Sequence, residues 1–452
     1  MKRVLIITYY WPPSGGSGVQ RWLKMSKYLP QYGWQPVIYT PENGEYPVED
    51  PSLEKDVCPE AEVIRRPIIE PYSFYKKFLG LKKEQKVKVG FIDETGKQKG
   101  WKGKLSAWIR GNFFIPDARC WWVKPSVRYL RNYLKEHPVD AIISTGPPHS
   151  MHLIAMKLKE SFGIPWVADF RDPWTEIYYY KDFPLTKRSD RKHHRMEREV
   201  LTKADRVVSV TPYNSSRLEQ LGAKDVVTIY NGFDREDVSS TTDVRSERFI
   251  VSFLGIMSKK QNSLSLWQAF KELADEDSSF DNNLKINLIG HIDPEIKQGI
   301  ETSGLSKHVS YSDYIPHNQV AQVNRNASVL LILLQPGNGA EVKGIMTGKL
   351  FEYLASGRPI LCIGPEDGDI AHVLDETKAG YTVGFFDKAR MKEVIRDLYQ
   401  RHLANSLTGT TINAIYKYSR RSLAGDYVKL LTQLLHTKAF THESHRHFKR
   451  NT

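Results

Sequence analysis

Lys349 and Glu352 stand three residues apart in the run Thr347-Gly348-Lys349-Leu350-Phe351-Glu352-Tyr353-Leu354-Ala355-Ser356-Gly357-Arg358-Pro359-Ile360. The run reads as a glycine-bearing loop, a short helix, a turn and the start of a buried strand. At i and i+3 the two side chains share one helix face. Thr347 can cap the helix, and Gly348 lets a ligand approach the backbone. The free N–H groups of a first helical turn attract anions, and Lys349 adds a full positive charge there. A cation beside phosphate and a carboxylate beside hydroxyls is what a sugar nucleotide asks of a protein. An ordinary βα unit with a surface ion pair accounts for the same spacing, so this run alone does not fix a function.

A second segment of this kind opens the chain. Residues 3–8 form an apolar, β-branched run of strand length. Tyr9-Tyr10-Trp11-Pro12-Pro13-Ser14-Gly15-Gly16-Ser17-Gly18 follows as a loop, and 18–32 reads as a helix with Gly33 as its C-cap. Gly15-Gly16 would face a helix N-terminus in a first βα loop, where open α/β sheets bind ligands. A tight turn of small residues is the plainer alternative. The spacing is not G-x-G-x-x-G, so a dinucleotide site is not supported.

The elements that must position these residues alternate throughout. In the first half, strands are predicted at 3–8, 35–40, 62–66, 139–144, 165–169, 206–210 and 226–229, and helices at 18–32, 122–136, 149–161, 188–203 and 213–221. Residues 68–121 form a long insertion. A polar linker over 235–248 leads to strands at 249–255, 284–289, 308–311, 328–334, 359–363 and 381–384, with helices at 263–275, 317–325, 348–356, 387–403 and 412–435. Alternation of this kind implies parallel sheets in two doubly wound, Rossmann-like α/β domains, 1–234 and 249–411. The helix over 412–436 is long enough to cross back onto the first domain, and 437–452 reads as a basic tail. Ligands are expected at the C-terminal strand ends.

Composition sets the outer bounds. The chain has 452 residues, 40% hydrophobic and 26% charged, which suits two globular domains. Cys58, Cys120 and Cys362 are odd in number and far apart, which points to a reducing compartment without a disulfide framework. No Cys/His cluster argues for a metal. His193-His194 lies in a charge-rich helix and reads as surface. Lys2-Arg3 precedes an apolar run too short for a signal peptide, and no run spans a membrane, so a cytoplasmic protein is expected.

Residues 76–110 carry eleven Lys or Arg and three acids, a net +8 out of the whole chain's +13. Phe74, Tyr75, Phe78, Phe91, Trp101, Trp108, Phe113 and Phe114 interleave with them or flank them. Cations mixed with aromatics over 74–114 suit an anionic membrane surface. A solvated insertion is the plainer alternative. Nucleic acid is not expected as a partner, because no nucleic-acid module motif is present.

Together these segments resemble the GT-B glycosyltransferases, and among them the retaining family 4. The resemblance is carried by Pro12 to Gly18, Gly146-Pro147-Pro148-His149-Ser150, Asp169-Phe170-Arg171-Asp172-Pro173-Trp174, Ala204 to Thr211 and Asn231-Gly232-Phe233-Asp234. It continues through Phe253-Leu254-Gly255, Lys259-Lys260-Gln261-Asn262 and the run at 347–360. No one segment is decisive; their order over two domains is. The resemblance implies a nucleotide-diphospho-sugar donor held mainly by the second domain, transferred with retention to a hydroxyl of a glycan, expected to be lipid-linked and part of bacterial surface polysaccharide or lipopolysaccharide assembly. The protein would then act peripherally on the inner face of the membrane.

On that resemblance, Glu352 matches the second glutamate of an E-x7-E element and would bind ribose hydroxyls. Lys259 or Lys260, together with Lys349 and the adjacent Leu350, would hold the diphosphate, so no metal or other cofactor is expected. Gly15 and Gly16 would offer backbone N–H groups near the diphosphate and sugar. His149 could assist removal of an acceptor proton if its pKa lies near neutrality, or it could simply cap its helix. Asp169, Arg171 and Asp172 would bind acceptor hydroxyls or phosphate, though a structural Asp–Arg pair explains them nearly as well. Two positions depart from the family pattern. Gly344 stands where the first glutamate of E-x7-E belongs, with Glu341 out of register, and Gln261 stands where a lysine often appears. A nucleotide-sugar epimerase of the same fold, or a nucleotide-sugar-binding protein without turnover, are the rival readings.

Overall fold

The computed structural model describes residues 1–70, 101–177, 180–234, 246–313, 315, 317–337 and 339–448. Most of the basic, aromatic stretch over 74–114 and most of the linker over 235–248 lie outside the described residues. The chain divides into two compact units: Met1–Tyr230 with the chain from Arg420 onward, and Asn231–Ser419.

The first unit is built on seven strands: β1 Lys2–Ile7, β2 Trp34–Pro41, β3 Glu62–Arg66, β4 Ala141–Gly146, β5 Trp166–Phe170, β6 Arg206–Ser209 and β7 Val226–Thr228. They form one parallel sheet in the order β3-β2-β1-β4-β5-β6-β7. The centre of β1 pairs Ile6 with Ile38 on one side and with Ile143 on the other. Its residues are apolar without alternation because both faces are covered. Leu5 and Ile7 point into one core layer and Val4 and Ile6 into the other. The chain leaves β1 toward β2 and returns to β4 on the opposite side. The C-terminal ends of β1 and β4 are therefore the switch point of this sheet, where a crevice opens.

Helices α1 Ser17–Ser26, α2 Trp101–Phe113, α3 Val123–Glu136, α4 Ser150–Phe162, α5 Lys187–Lys203 and α6 Pro212–Gln220 accompany the sheet. The helix expected over 18–32 is shorter: α1 stops at Ser26, and Leu29–Tyr32 forms a separate 3₁₀ turn with Pro30 near its start. Proline has no N–H to continue an α-helix. Gly33 then caps the turn at φ 80°, as its residue type predicts. The C-terminal helix, Arg420–Phe448, belongs to this unit. Leu423, Ala424, Tyr427, Leu430, Leu431 and Leu434 recur at helical spacing and fill the core layer that also holds Val4, Ile6 and Trp22.

That helix was expected over 412–435. It is divided instead into a short turn at Ile412–Ile415, a 3₁₀ turn at Tyr416–Tyr418 and the long helix from Arg420. Ser419 is extended and pairs with Phe233, which interrupts the helix. The long helix also continues to Phe448, into the stretch expected to be a tail.

The second unit holds β8 Phe249–Leu254, β9 Leu284–Ile289, β10 Val309–Ser312, β11 Val329–Leu333, β12 Ile360–Ile363 and β13 Gly380–Val383, parallel, in the order β10-β9-β8-β11-β12-β13. Its helices are α7 Leu264–Glu276, α8 Ser278–Asn283, α9 Pro294–Thr302, α10 His317–Asn326, α11 Gly348–Ser356, α12 Asp369–Thr377 and α13 Lys388–Leu403. Helices α8, α9 and α12 were not expected. Two of them follow N-cap aspartates, Asp277 and Asp293, the latter in an Asp-Pro start. The switch point of this sheet lies between β8 and β11, at the edge that α11 enters.

Candidate functional site

In the second unit the site begins with two glycines. Gly255 follows β8 at φ 115° and Gly290 follows β9 at φ 115°. A side chain on Gly290 would collide with the Gly255 carbonyl, and a Cβ on Gly255 would lie 2.7 Å from Lys349 Cε and 2.9 Å from Nζ. Helix α11 is held against this edge by Tyr353, whose buried hydroxyl accepts a hydrogen bond from the Leu254 N–H at 3.1 Å. Lys349 therefore lies across the end of β8, with its ammonium 4.0 Å from the centre of the Phe253 ring. No carboxylate or carbonyl among the described residues takes its protons. Burial lowers the Lys349 pKa to about 8, against the opposing pull of Glu352.

The backbone around it is open to an anion. Thr347 caps α11 without a side-chain cap bond, and its buried hydroxyl has no partner. Gly348 is exposed, with nothing within 4 Å of where a Cβ would stand. A half-buried, unpaired ammonium beside an open helix N-terminus is unfavourable unless an anion completes it. Gly255→Ala should disrupt this arrangement. The positive φ resists alanine, and the methyl group displaces Lys349. We expect a loss of roughly 1–3 kcal/mol in urea unfolding, with weaker binding of any anionic ligand in titration.

Other residues expected in this unit fall into place unevenly. Lys259 and Lys260 are exposed in a 3₁₀ turn after β8, and Lys259 reaches Glu295 at 3.8 Å. Such a surface pair holds its lysine weakly. Gln261 is structural: its Oε1 accepts from Ser258 N–H at 2.9 Å, and its Nε2 donates to the Leu333 carbonyl at 2.6 Å. This ties the β8 loop to the end of β11. Leu350 is a correction. Its side chain is fully buried in the core and its N–H donates to the Thr347 carbonyl at 3.1 Å, so it offers a ligand neither. Glu352 is partly exposed on α11, one turn beyond Lys349. Gly344 is buried at the end of the 3₁₀ turn Ala340–Gly344, and Glu341 lies on the same turn.

In the first unit the corrections are larger. Asp169, expected to meet an acceptor, is fully buried at the end of β5. Oδ1 accepts from Arg21 Nη2 at 2.9 Å and from the Tyr427 hydroxyl at 2.7 Å. Oδ2 accepts from Arg21 Nε at 3.1 Å, Trp22 Nε1 at 2.8 Å and Thr145 Oγ1 at 2.8 Å. Burial pushes its pKa up, but Arg21 and the other donors more than reverse this and hold the carboxyl below its ordinary value. All its lone pairs are used, so it knots α1, β4, β5 and the C-terminal helix. Arg171 is also structural. It donates to the Gly18 carbonyl at 2.6 Å and to the Pro147 carbonyl, which joins the loops after β1 and β4. Asp172 is the one member of the trio that is exposed.

Gly15 is likewise corrected. Its N–H donates to the Val48 carbonyl at 2.8 Å, and Asp50 and Val48 crowd the place of a Cβ. Gly16 does face open space, at φ 82° before the N-terminus of α1.

His149 precedes α4 without capping it through its side chain. Its ring stacks on Trp174 at 4.7 Å and 4°. Burial, with the positive fields of His152, Arg171 and His193 after it, lowers the His149 pKa well below its ordinary value. The expectation of a near-neutral pKa is therefore overturned, and the imidazole stays uncharged. His193, expected at the surface, is buried and accepts a hydrogen bond from Trp174 Nε1 at 3.1 Å. The three cysteines are free. Among the described residues no group of His, Cys, Asp or Glu side chains is placed to hold a metal, and no helix is long and apolar enough to cross a membrane.

Sequence reasoning missed Arg21, His152, Trp174 and Tyr427. Trp174 lay within a quoted segment, but its stacking partner is 25 residues away in the chain.

The description Glycosyltransferase Family 4 matches residues 94–237. A glycosyltransferase from Rickettsia africae has a similar fold, with a TM-score of 0.59 at 12% identity over 96% of this chain and 98% of that one. Alr3699/HepE of Anabaena, solved in complex with UDP-glucose, gives 0.57 at 12% identity over 96% and 100%. TarM of S. aureus, solved as a mutant with fondaparinux, alpha-GlcNAc-glycerol and UDP, gives 0.57 at 14% identity over 95% and 100%. No curated protein matches the chain in sequence. With two parallel doubly wound sheets, a C-terminal helix returning to the first of them, and these likenesses, the chain has the GT-B fold, and residues 94–237 are similar to Glycosyltransferase Family 4.

Proposed function

We propose that the protein transfers a sugar from a nucleotide-diphospho-sugar to a hydroxyl of a glycan acceptor. The observation that carries this reading is the Lys349 ammonium, half-buried and without a direct ion pair among the described residues, beside the open N-terminus of α11. A diphosphate supplies the charge and the acceptor oxygens that this arrangement lacks. As the bond from the sugar to the diphosphate breaks, negative charge grows on the leaving oxygen. A fixed cation and backbone N–H groups there stabilise that change more than they stabilise the ground state. The reading assigns charge neutralisation to Lys349, Lys260 and α11 rather than to a metal ion. Glu352, one turn on, would accept from ribose hydroxyls. UDP and UDP-glucose, present in the structures of two similar proteins, support a nucleotide donor.

Retention comes from the family resemblance. Asp172 and His149 of the first unit would contact the acceptor. A lipid-linked acceptor at an anionic membrane is supported by exposed aromatics near basic residues. Trp108, Phe113 and Trp121 are 39%, 65% and 51% exposed. Asn112 of α2 bonds the start of α5 at Thr186 N–H, and exposed Lys187, Arg188, Arg191 and Lys192 follow there. Gly344 favours one second reading, a nucleotide-sugar binder without turnover. It would release no free nucleoside diphosphate.

The pH dependence of donor affinity tests the Lys349 reading. A diphosphate needs the charged lysine, and the ligand-free protein gives up that proton near pH 8. Affinity should be flat below about pH 7 and fall by up to about tenfold per pH unit above about pH 8. Calorimetric titration would show it. Affinity that stays level to about pH 9.5 would rule out Lys349 as the diphosphate's partner.

A further inference from the structure

The Lys349 amine ends over the face of the Phe253 ring, with Gly255 beneath its stem. The ring face and the more distant pull of Glu352 favour its charged form, and burial outweighs them. An ordinary lysine at about pH 8 is neutral in only roughly 0.4% of molecules. Lys349, with its pKa lowered to about 8, is neutral in about half. Its free amine is therefore roughly a hundred times more abundant than that of an ordinary lysine. The side chain is only partly buried, and Gly348 beside it leaves open space where a Cβ would stand. A small electrophile can reach the nitrogen.

The surroundings also favour an anion in place of that amine. The N–H groups of Gly348 and Lys349 have no acceptor among the described residues. The Thr347 hydroxyl next to them in the chain is buried and has no partner. A charged lysine needs an anion from outside to complete such a group of donors. An adduct that turns the lysine itself into an anion would complete it from within. Carbon dioxide makes that adduct. It is small and neutral, so its approach does not favour the ammonium form as an anionic reagent's would. The nitrogen lone pair forms an N–C bond to its carbon, one C=O electron pair moves onto oxygen, and one amine proton leaves to solvent. The product is a carbamate.

We propose that Lys349 reversibly adds carbon dioxide, and that the carbamate takes the start of α11 and so excludes the diphosphate of the donor. The exclusion rests on the donor-site reading above; the modification does not.

The test incubates the full chain at about pH 8 with isotopically labelled bicarbonate and the carbon dioxide in equilibrium with it. Triethyloxonium converts any carbamate to a stable ester, and peptide mass spectrometry locates it. The exposed Met1 amine, which also adds carbon dioxide, is the internal reference. Lys349 should carry the ester at roughly a hundred times the level of the other lysines. UDP, GDP, ADP and dTDP are then added in turn. The one that binds, at about 100 times its dissociation constant, should lower the Lys349 ester about 100-fold and leave Met1 unchanged. By reciprocity, dissolved carbon dioxide should weaken the binding of that diphosphate in calorimetric titration. A labelled Met1 beside an unlabelled Lys349 overturns the modification and leaves the donor-site reading as it was. A labelled Lys349 that no diphosphate protects overturns the shared seat and leaves the modification standing.

Discussion

Replacing Lys349 with methionine is expected to slow turnover by about 10²–10³-fold, the usual cost of removing one group that stabilises a developing anion. The same change should leave the folded protein as stable as before, or more so. Methionine keeps the stem length that packs over Phe253 and removes a half-buried charge whose burial outweighs the pull of Glu352. Loss of activity with gain of stability is the pattern of a residue kept for function. The pH dependence gives a further check. The unfolded chain keeps the lysine proton to about pH 10.4, whereas the folded chain releases it near pH 8. Between these values the unfolded state binds more protons, so this group makes the wild type more stable as pH rises. Urea unfolding should show that rise in the wild type and not in Lys349→Met. Arginine should not rescue, because its planar head is larger and Gly255 leaves no space beneath it.

Asp169→Ala is expected to cost about 3–5 kcal/mol of stability, the range for breaking a buried ion pair on one side. It would strand Arg21, which is itself buried, along with the Trp22 N–H and the Thr145 and Tyr427 hydroxyls. Arg21 also donates to the carbonyls of Ile229 at 2.9 Å and Tyr230 at 2.7 Å, the last residues before the chain leaves the first unit. The loss should therefore loosen that exit and the C-terminal helix together. Hydrogen exchange in Asp169→Ala should show reduced protection at Leu430 and Leu431 before it reaches the centre of β1. A variant unfolding like the wild type would return Asp169 to the surface role that its sequence context suggested.

These two residues differ in how far their surroundings were legible in the sequence. Around Lys349 the relevant signals are local. Thr347, Gly348 and Lys349 are consecutive, and a helix start with a lysine reads as an anion seat without knowledge of distant contacts. What could not be read was the floor beneath it. Gly255, Gly290 and Phe253 come from two strands, and only the parallel pairing of β8 with β9 brings the glycines together. Around Asp169 the motif Asp-Phe-Arg-Asp is local, but its meaning is not. Its partners Arg21 and Tyr427 lie 148 and 258 residues away. A carboxylate at a strand end looks available for substrate until those donors are placed. The sheet strands were legible because buried parallel strands are long apolar runs. Helix ends were less so, since Pro30 and the extended Ser419 each break a run that composition alone would continue.

The most direct test is calorimetric titration of the wild type and Lys349→Met, near neutral pH, with free nucleoside diphosphates, the matching nucleosides and the matching nucleotide sugars. The reading predicts that the wild type binds one base's diphosphate and its nucleotide sugar but not the nucleoside, and that both affinities collapse in the variant. Equal binding of nucleoside and diphosphate, or diphosphate binding unchanged by Lys349→Met, would contradict a diphosphate seat at the start of α11.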